Sequence, residues 1–85
     1  MRVVVVFRDN TDYARDVLTF LRDFEHQTGR KLETKDPDDL QGEMFCRAYD
    51  IVEYPTVIAI SDSGVMQNTW RGLPLPTISE VSYYS

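Results

Sequence analysis

Val3, Val4, Val5, Val6 and Phe7 form an unbroken β-branched and aromatic run. That pattern belongs to a strand buried on both faces, so it predicts a central strand of a sheet. Arg8-Asp9-Asn10-Thr11 follows with turn and N-cap chemistry, because Asn and Thr oxygens can accept the free N–H groups of a helix start. A helix is predicted from near Thr11 or Asp12. Within it Ala14, Val17, Leu18, Leu21 and Phe24 recur at spacings of three and four, which sets one apolar stripe against the sheet and turns Arg15, Asp16, Arg22 and Asp23 away. Gly29 is the predicted C′ residue that ends it.

Lys31-Leu32-Glu33-Thr34 reads as a short polar strand, suited to a sheet edge where charge discourages pairing with other molecules. Asp36-Pro37 joins a capping side chain to a residue tolerated at the first helical position, and Leu40, Met44, Cys46, Ala48 and Tyr49 are expected on the inner side of a second helix. Gly42 inside that helix is expected to weaken it by about 1 kcal/mol relative to Ala. Thr56 to Ile60 is a second buried strand, Asp62-Ser63-Gly64 a hairpin turn, and Val65 to Arg71 its antiparallel partner. Val65, Gln67, Thr69 and Arg71 fall on one face of that partner and Trp70 on the other. After Gly72, Pro74 and Pro76, a short last helix starting at Pro76 or Thr77 carries Ile78, Val81 and Tyr84 or Tyr83 inward. The order is β-α-β-α-β-β-α: an α/β fold with a parallel pair first, an antiparallel hairpin added to the same sheet, and three helices flanking four strands.

The chain has 85 residues, which suits one domain over 1–85, since a core of this size buries only about 60 to 65 % of the unfolded surface. Hydrophobic residues are 42 % and charged ones 27 % of the sequence, the balance of a packed globular protein. The net charge of −5, with Asp36, Asp38, Asp39 and Glu43 close together, repels a phosphate backbone and argues against nucleic acid as a partner. The longest apolar run, Val3 to Phe7, is too short for a signal segment or a membrane span, so no membrane partner is expected. Cys46 is the lone cysteine, which excludes an intramolecular disulfide and suits a reducing, cytoplasmic setting.

Tyr49-Asp50-Ile51-Val52-Glu53-Tyr54-Pro55-Thr56-Val57 resembles the thioredoxin-like superfamily segment in which Tyr, then Ile or Val, then Pro-Thr lead into the third strand. The element order resembles the minimal, glutaredoxin-sized form of that family over the whole chain, and the Ser63-Gly64 turn and Gly72 match its pattern. The resemblance implies a thioredoxin-like fold with Pro55 as the family's cis-proline and the backbone of Tyr54 presented to a bound peptide or thiol ligand. Redox members carry Cys-x-x-Cys or one cysteine between the first strand and first helix, where the helix start lowers a thiol pKa. Here that stretch is Asp9-Asn10-Thr11-Asp12-Tyr13-Ala14-Arg15, with no sulfur and no Ser or His nucleophile in its place. Dithiol exchange of the usual kind is not expected. Over Asp9-Asn10-Thr11 only, the stretch also resembles the KaiB-type clock proteins, a thioredoxin-like group that works by binding.

These residues lead to a noncatalytic binding or scaffolding module, holding a protein or peptide where the Asn10, Thr11, Asp12 and Tyr13 loop adjoins the Tyr54-Pro55 loop, with no cofactor and no metal. The alternative is a thiol enzyme or redox-responsive protein acting through Cys46, although buried free cysteines usually serve as small hydrophobes. A homo-oligomer built through the edge strand or the aromatic C-terminal end is a third reading. His26 is read as a surface residue near a helix end, and the acidic cluster as a solvated capping turn, because it lacks the glycine and terminal glutamate of a calcium loop. Tyr13, Tyr54, Trp70, Tyr83 and Tyr84 divide between core and partner surface.

Overall fold

A computed structural model describes all 85 residues, Met1 to Ser85. In chain order the elements are β1 (Arg2–Val6), α1 (Ala14–Thr28), β2 (Glu33–Lys35), α2 (Leu40–Ala48), β3 (Thr56–Ile60), β4 (Met66–Arg71) and α3 (Ile78–Ser82). The four strands form one sheet in the order β2-β1-β3-β4. β1 pairs with β2 in parallel and with β3 antiparallel, and β3 pairs antiparallel with β4.

The two central strands are the two apolar runs, because only their residues can meet hydrophobic partners on both sides. Val3, Val5, Phe7, Val57 and Ala59 pack on one face with Val17, Phe20 and Phe24 of α1 and Val81 of α3. Val4, Val6, Ile58 and Ile60 pack on the other with Cys46 of α2 and with Ile51. Each fully buried Val, Ile or Phe contributes about 1.5–3 kcal/mol of transfer free energy, so the layers are held from the middle outward.

The helices depart from the predicted stripes in identifiable ways. In α1 Phe20 is buried and Leu18 is 53 % exposed, so the stripe runs through Ala14, Val17, Phe20 and Phe24, with Leu21 at its margin. A 15-residue helix has room for a stripe shifted by one position, and the larger Phe20 ring takes the place next to Phe24, with ring centroids 6.2 Å apart. In α2 only Gly42 and Cys46 are buried, while Leu40 and Met44 are 72 % and 61 % exposed. Phe45 and Tyr49 close that face instead, their rings 4.9 Å apart.

The helix starts also differ from expectation. Tyr13 occupies the N-cap of α1 and gives no side-chain cap, because Thr11 Oγ1 instead donates to the carbonyl of Arg8 at 2.8 Å. α2 is capped by Asp39, whose carboxylate accepts the Gly42 N–H at 2.7 Å, while Asp36 accepts the Asp38 N–H in the preceding turn. β2 begins at Glu33, two residues later than the predicted edge strand, and Leu32 before it is buried. Gly29 does end α1 in the left-handed conformation at φ 73°, and Thr77 with Glu80 forms a reciprocal capping box at α3.

The outer side of β4 carries a local device. Gly72 N–H donates to the Pro55 carbonyl at 2.7 Å, which marks that pair as hydrogen-bonded, and strict alternation then turns the Thr69 N–H outward, away from β3. That amide donates to Asn68 Oδ1 at 2.8 Å, and Asn68 Nδ2 donates to the Tyr84 hydroxyl at 3.2 Å.

Candidate functional site

Antiparallel pairing of β1 with β3 sets Val6 opposite Thr56, so the chain leaving β1 and the chain entering β3 emerge at the same end of the sheet. The two loops singled out in the sequence therefore meet there, and the residue that joins them is Arg8. Its backbone N–H donates to the Tyr13 hydroxyl at 3.0 Å, tying down the first loop. Its guanidinium lies over the Tyr54 ring at 4.5 Å from the centroid, reaching the second. Arg8 Nε also donates to both carboxylate oxygens of Asp38, at 3.1 and 3.0 Å, which fixes the approach to α2.

Hydrogen bonding to Asp38 raises the Arg8 pKa further above an already high value, so this cation is permanent. Cation over aromatic face, carboxylate on the guanidinium and a tyrosine hydroxyl on the backbone make a connected polar patch joining the end of β1, the approach to α2 and both loops. Sequence reasoning placed Arg8 in a turn and Asp38 in an acidic cluster but did not pair them. They lie thirty residues apart, and nothing local to either announces the other.

The individual candidates fall into three groups. Tyr13 and Tyr54 are half-buried and both touch Arg8; Pro55 is buried, follows a cis peptide bond from Tyr54, and gives its carbonyl to Gly72. Thr11 is half-buried and turned back onto Arg8, while it also borders an open depression of about 460 Å³ along α1 with Arg15, Leu18 and Arg22. Asn10 and Asp12 are exposed and their side chains make no hydrogen bond. The Tyr54 backbone N–H and carbonyl also make none, whereas Thr56 Oγ1 bonds to the Glu53 carbonyl beside them.

Cys46 lies on the α2 side of this patch, 7 % exposed, against Val4, Val6, Ile58 and Tyr54. Burial pushes its thiol up from the ordinary value, and the nearby Tyr54 hydroxyl and Arg8 charge offset only part of that. Burial likewise raises Tyr54, with the neighbouring thiol adding to the effect. At neutral pH both groups are protonated.

The acidic residues are used singly and separately: Asp38 on Arg8, Asp39 as a cap, Asp36 in a turn, and Glu43 on Arg47 at 2.7 Å. His26 sits exposed in the last turn of α1.

With this arrangement in view, comparison of three-dimensional structures is decisive for the fold. Thioredoxin 1 from the thermophilic eubacterium Thermosipho africanus TCF52B matches with a TM-score of 0.67, over 99 % of this chain and 89 % of that one, at 15 % sequence identity. The fold is thioredoxin-like. No family model and no curated protein matches the sequence. The stretch Asp9 to Arg15, from the end of β1 into the first turn of α1, holds no sulfur atom. The one thiol of the chain, Cys46, stands on α2 instead.

Proposed function

We propose that this protein is a noncatalytic thioredoxin-like module that binds an extended peptide or protein segment where the Asn10-Thr11-Asp12-Tyr13 loop adjoins Tyr54-Pro55. The observation that carries this reading is the Tyr54 backbone, whose N–H and carbonyl have no partner in the chain although the Tyr54 ring is held against Arg8, which also bonds the first loop. Such a pair of main-chain groups adds an extended segment by strand-like hydrogen bonds, and neighbouring side chains then supply selectivity. Around Tyr54 those side chains are Arg8, held rigid by Asp38, and the unengaged Asn10 and Asp12 on the rim.

A thiol-based activity through Cys46 has less support, because the sulfur is buried and its pKa is raised, whereas a nucleophilic cysteine needs exposure and a lowered pKa. Amide-shift mapping during titration with a library of extended peptides tests the binding reading. Shifts concentrated on residues 10–13 and 53–56 are expected. A binding peptide that leaves both loops unshifted refutes it.

A further inference from the structure

Three aromatic rings at the C-terminal end stand apart from the site above. Trp70 of β4 and Tyr84 meet edge to face at 5.6 Å with an angle of 72°, and Tyr83 meets Tyr84 at 5.0 Å and 84°. Both rings are thus steeply inclined to the Tyr84 ring. Together with Asn68 and Glu80 they line an open depression of about 220 Å³.

Core packing accounts for part of this group only. Trp70 and Tyr84 lean on the buried cluster beneath α1 and α3, but Tyr83 is 82 % exposed, lies outside that cluster and lines the depression. We propose that Trp70, Tyr83 and Tyr84, with the Glu80 carboxylate, form an aromatic box that binds a methylated ammonium cation.

The chemistry follows from the rings. Ring faces carry the negative part of the quadrupole, so a depression lined by three aromatics favours a rounded, weakly hydrated cation over a neutral group of equal shape. Glu80 supplies formal negative charge at the same place. Its two bonds from Thr77 both fall on Oε1, at 3.0 Å each, and the Trp70 side chain also interacts with the carboxyl, which ties Glu80 to the same group of rings. Hydrogen bonds from the Thr77 backbone and hydroxyl hold that carboxyl below the usual range, so it is ionised at neutral pH.

None of the chain's own cations competes for the rings. Its cation–π contacts are Arg2 on Phe45 and Arg8 on Tyr54, and the nearby Arg30 is bonded to Ser85. The net charge of −5 favours approach of a cation in general.

Trp70 is the only tryptophan, so its fluorescence reports on the box directly. Choline, titrated to tens of millimolar at constant ionic strength, is expected to change that emission saturably, while its neutral carbon isostere 3,3-dimethylbutanol does not. Tyr83→Ala, a substitution at an exposed position, is expected to lower choline affinity by about two- to fivefold, the worth of one exposed cation–π contact, with the thermal unfolding midpoint unchanged. Glu80→Gln, which keeps an acceptor for Thr77, is expected to weaken binding further at low salt than at high salt.

A trimethyl-lysine peptide run beside choline distinguishes the sources: tighter binding of the peptide identifies a modified protein side chain, and equal binding identifies a free quaternary ammonium compound. An equal response to choline and its isostere overturns the proposal. So does an unchanged choline affinity in Tyr83→Ala.

Discussion

Replacing Gly42 by Ala sets two effects of known size against each other. On helix propensity alone the change stabilises α2 by about 1 kcal/mol, since Ala is the best and Gly among the poorest interior helix residues. The packing points the other way. A Cβ built at Gly42 collides with the Asp36 backbone carbonyl and stands 3.1 Å from Asp39 Oδ1. The carbonyl belongs to the turn that delivers the chain to α2, where it accepts the Asp39 N–H at 3.2 Å. It cannot swing aside as a flexible side chain would.

Relief therefore requires the turn to move, which costs about 1–3 kcal/mol on the scale of overpacked sites, and the shift also loosens the Asp39 cap, worth about 1 kcal/mol. After subtracting the propensity gain, Gly42→Ala is expected to be less stable by about 1–3 kcal/mol, a drop of roughly 4–24 °C in Tm for a domain of this size. Urea unfolding followed by Trp70 emission measures it, with the exposed neighbour Gln41→Ala as a control expected within about 0.5 kcal/mol of the parent. A Gly42→Ala protein as stable as the parent, or more so, refutes the reasoning, because propensity would then have outweighed the contact.

Two further expectations follow from the titrating groups. Cys46 is expected to react with iodoacetamide at neutral pH at least tenfold more slowly than an unstructured thiol, and to reach the unstructured rate only in denaturant; fast native alkylation would mean that the sulfur is neither buried nor protonated. Glu33 accepts two hydrogen bonds from Arg2, at 3.1 and 2.6 Å, which hold its carboxyl below the usual carboxylate range. The folded state thus binds this proton less readily than the unfolded one. The stabilisation is fully present above the unfolded value of about 4.3 and is lost as pH falls through the folded value.

Both side chains are nearly half exposed, at 47 % and 40 %, so screening limits the pair to about 1 kcal/mol or less. Parent and Glu33→Gln should accordingly differ in urea midpoint near neutral pH and converge in strong acid. A difference that persists in acid would assign the effect to packing.

The element order was readable because each signal for it is local. Val3 to Phe7 and Thr56 to Ile60 can bury both faces only at the centre of a sheet, and the turn and cap residues between them punctuate the chain. What escaped the sequence were choices among neighbours of similar chemistry. Asp36 and Asp39 can both cap, and the contact between Gly42 and the Asp36 carbonyl, which fixes how the turn meets α2, depends on three dimensions. Leu18 and Phe20 are both apolar, and Phe20, nearer in helical phase to Val17 and Phe24, is the one buried. Of the candidate site, the juxtaposition of Tyr13 with Tyr54 could be anticipated from the family resemblance. The Arg8 bridge could not, since its partners are the Tyr13 hydroxyl, a ring on another loop and a carboxylate before α2.

Asn68 gives the two flanks of the sheet unequal protection against lateral growth. β2 is only three residues long and charged, which by itself discourages a newcomer. β4 is longer and its residues Met66 to Trp70 carry no charge, so a single carboxamide, folded back on the Thr69 amide, blunts the zipper that another strand would need. The same side chain also holds the Tyr84 hydroxyl, so one carboxamide both occupies an outward amide of β4 and anchors the residues that follow α3.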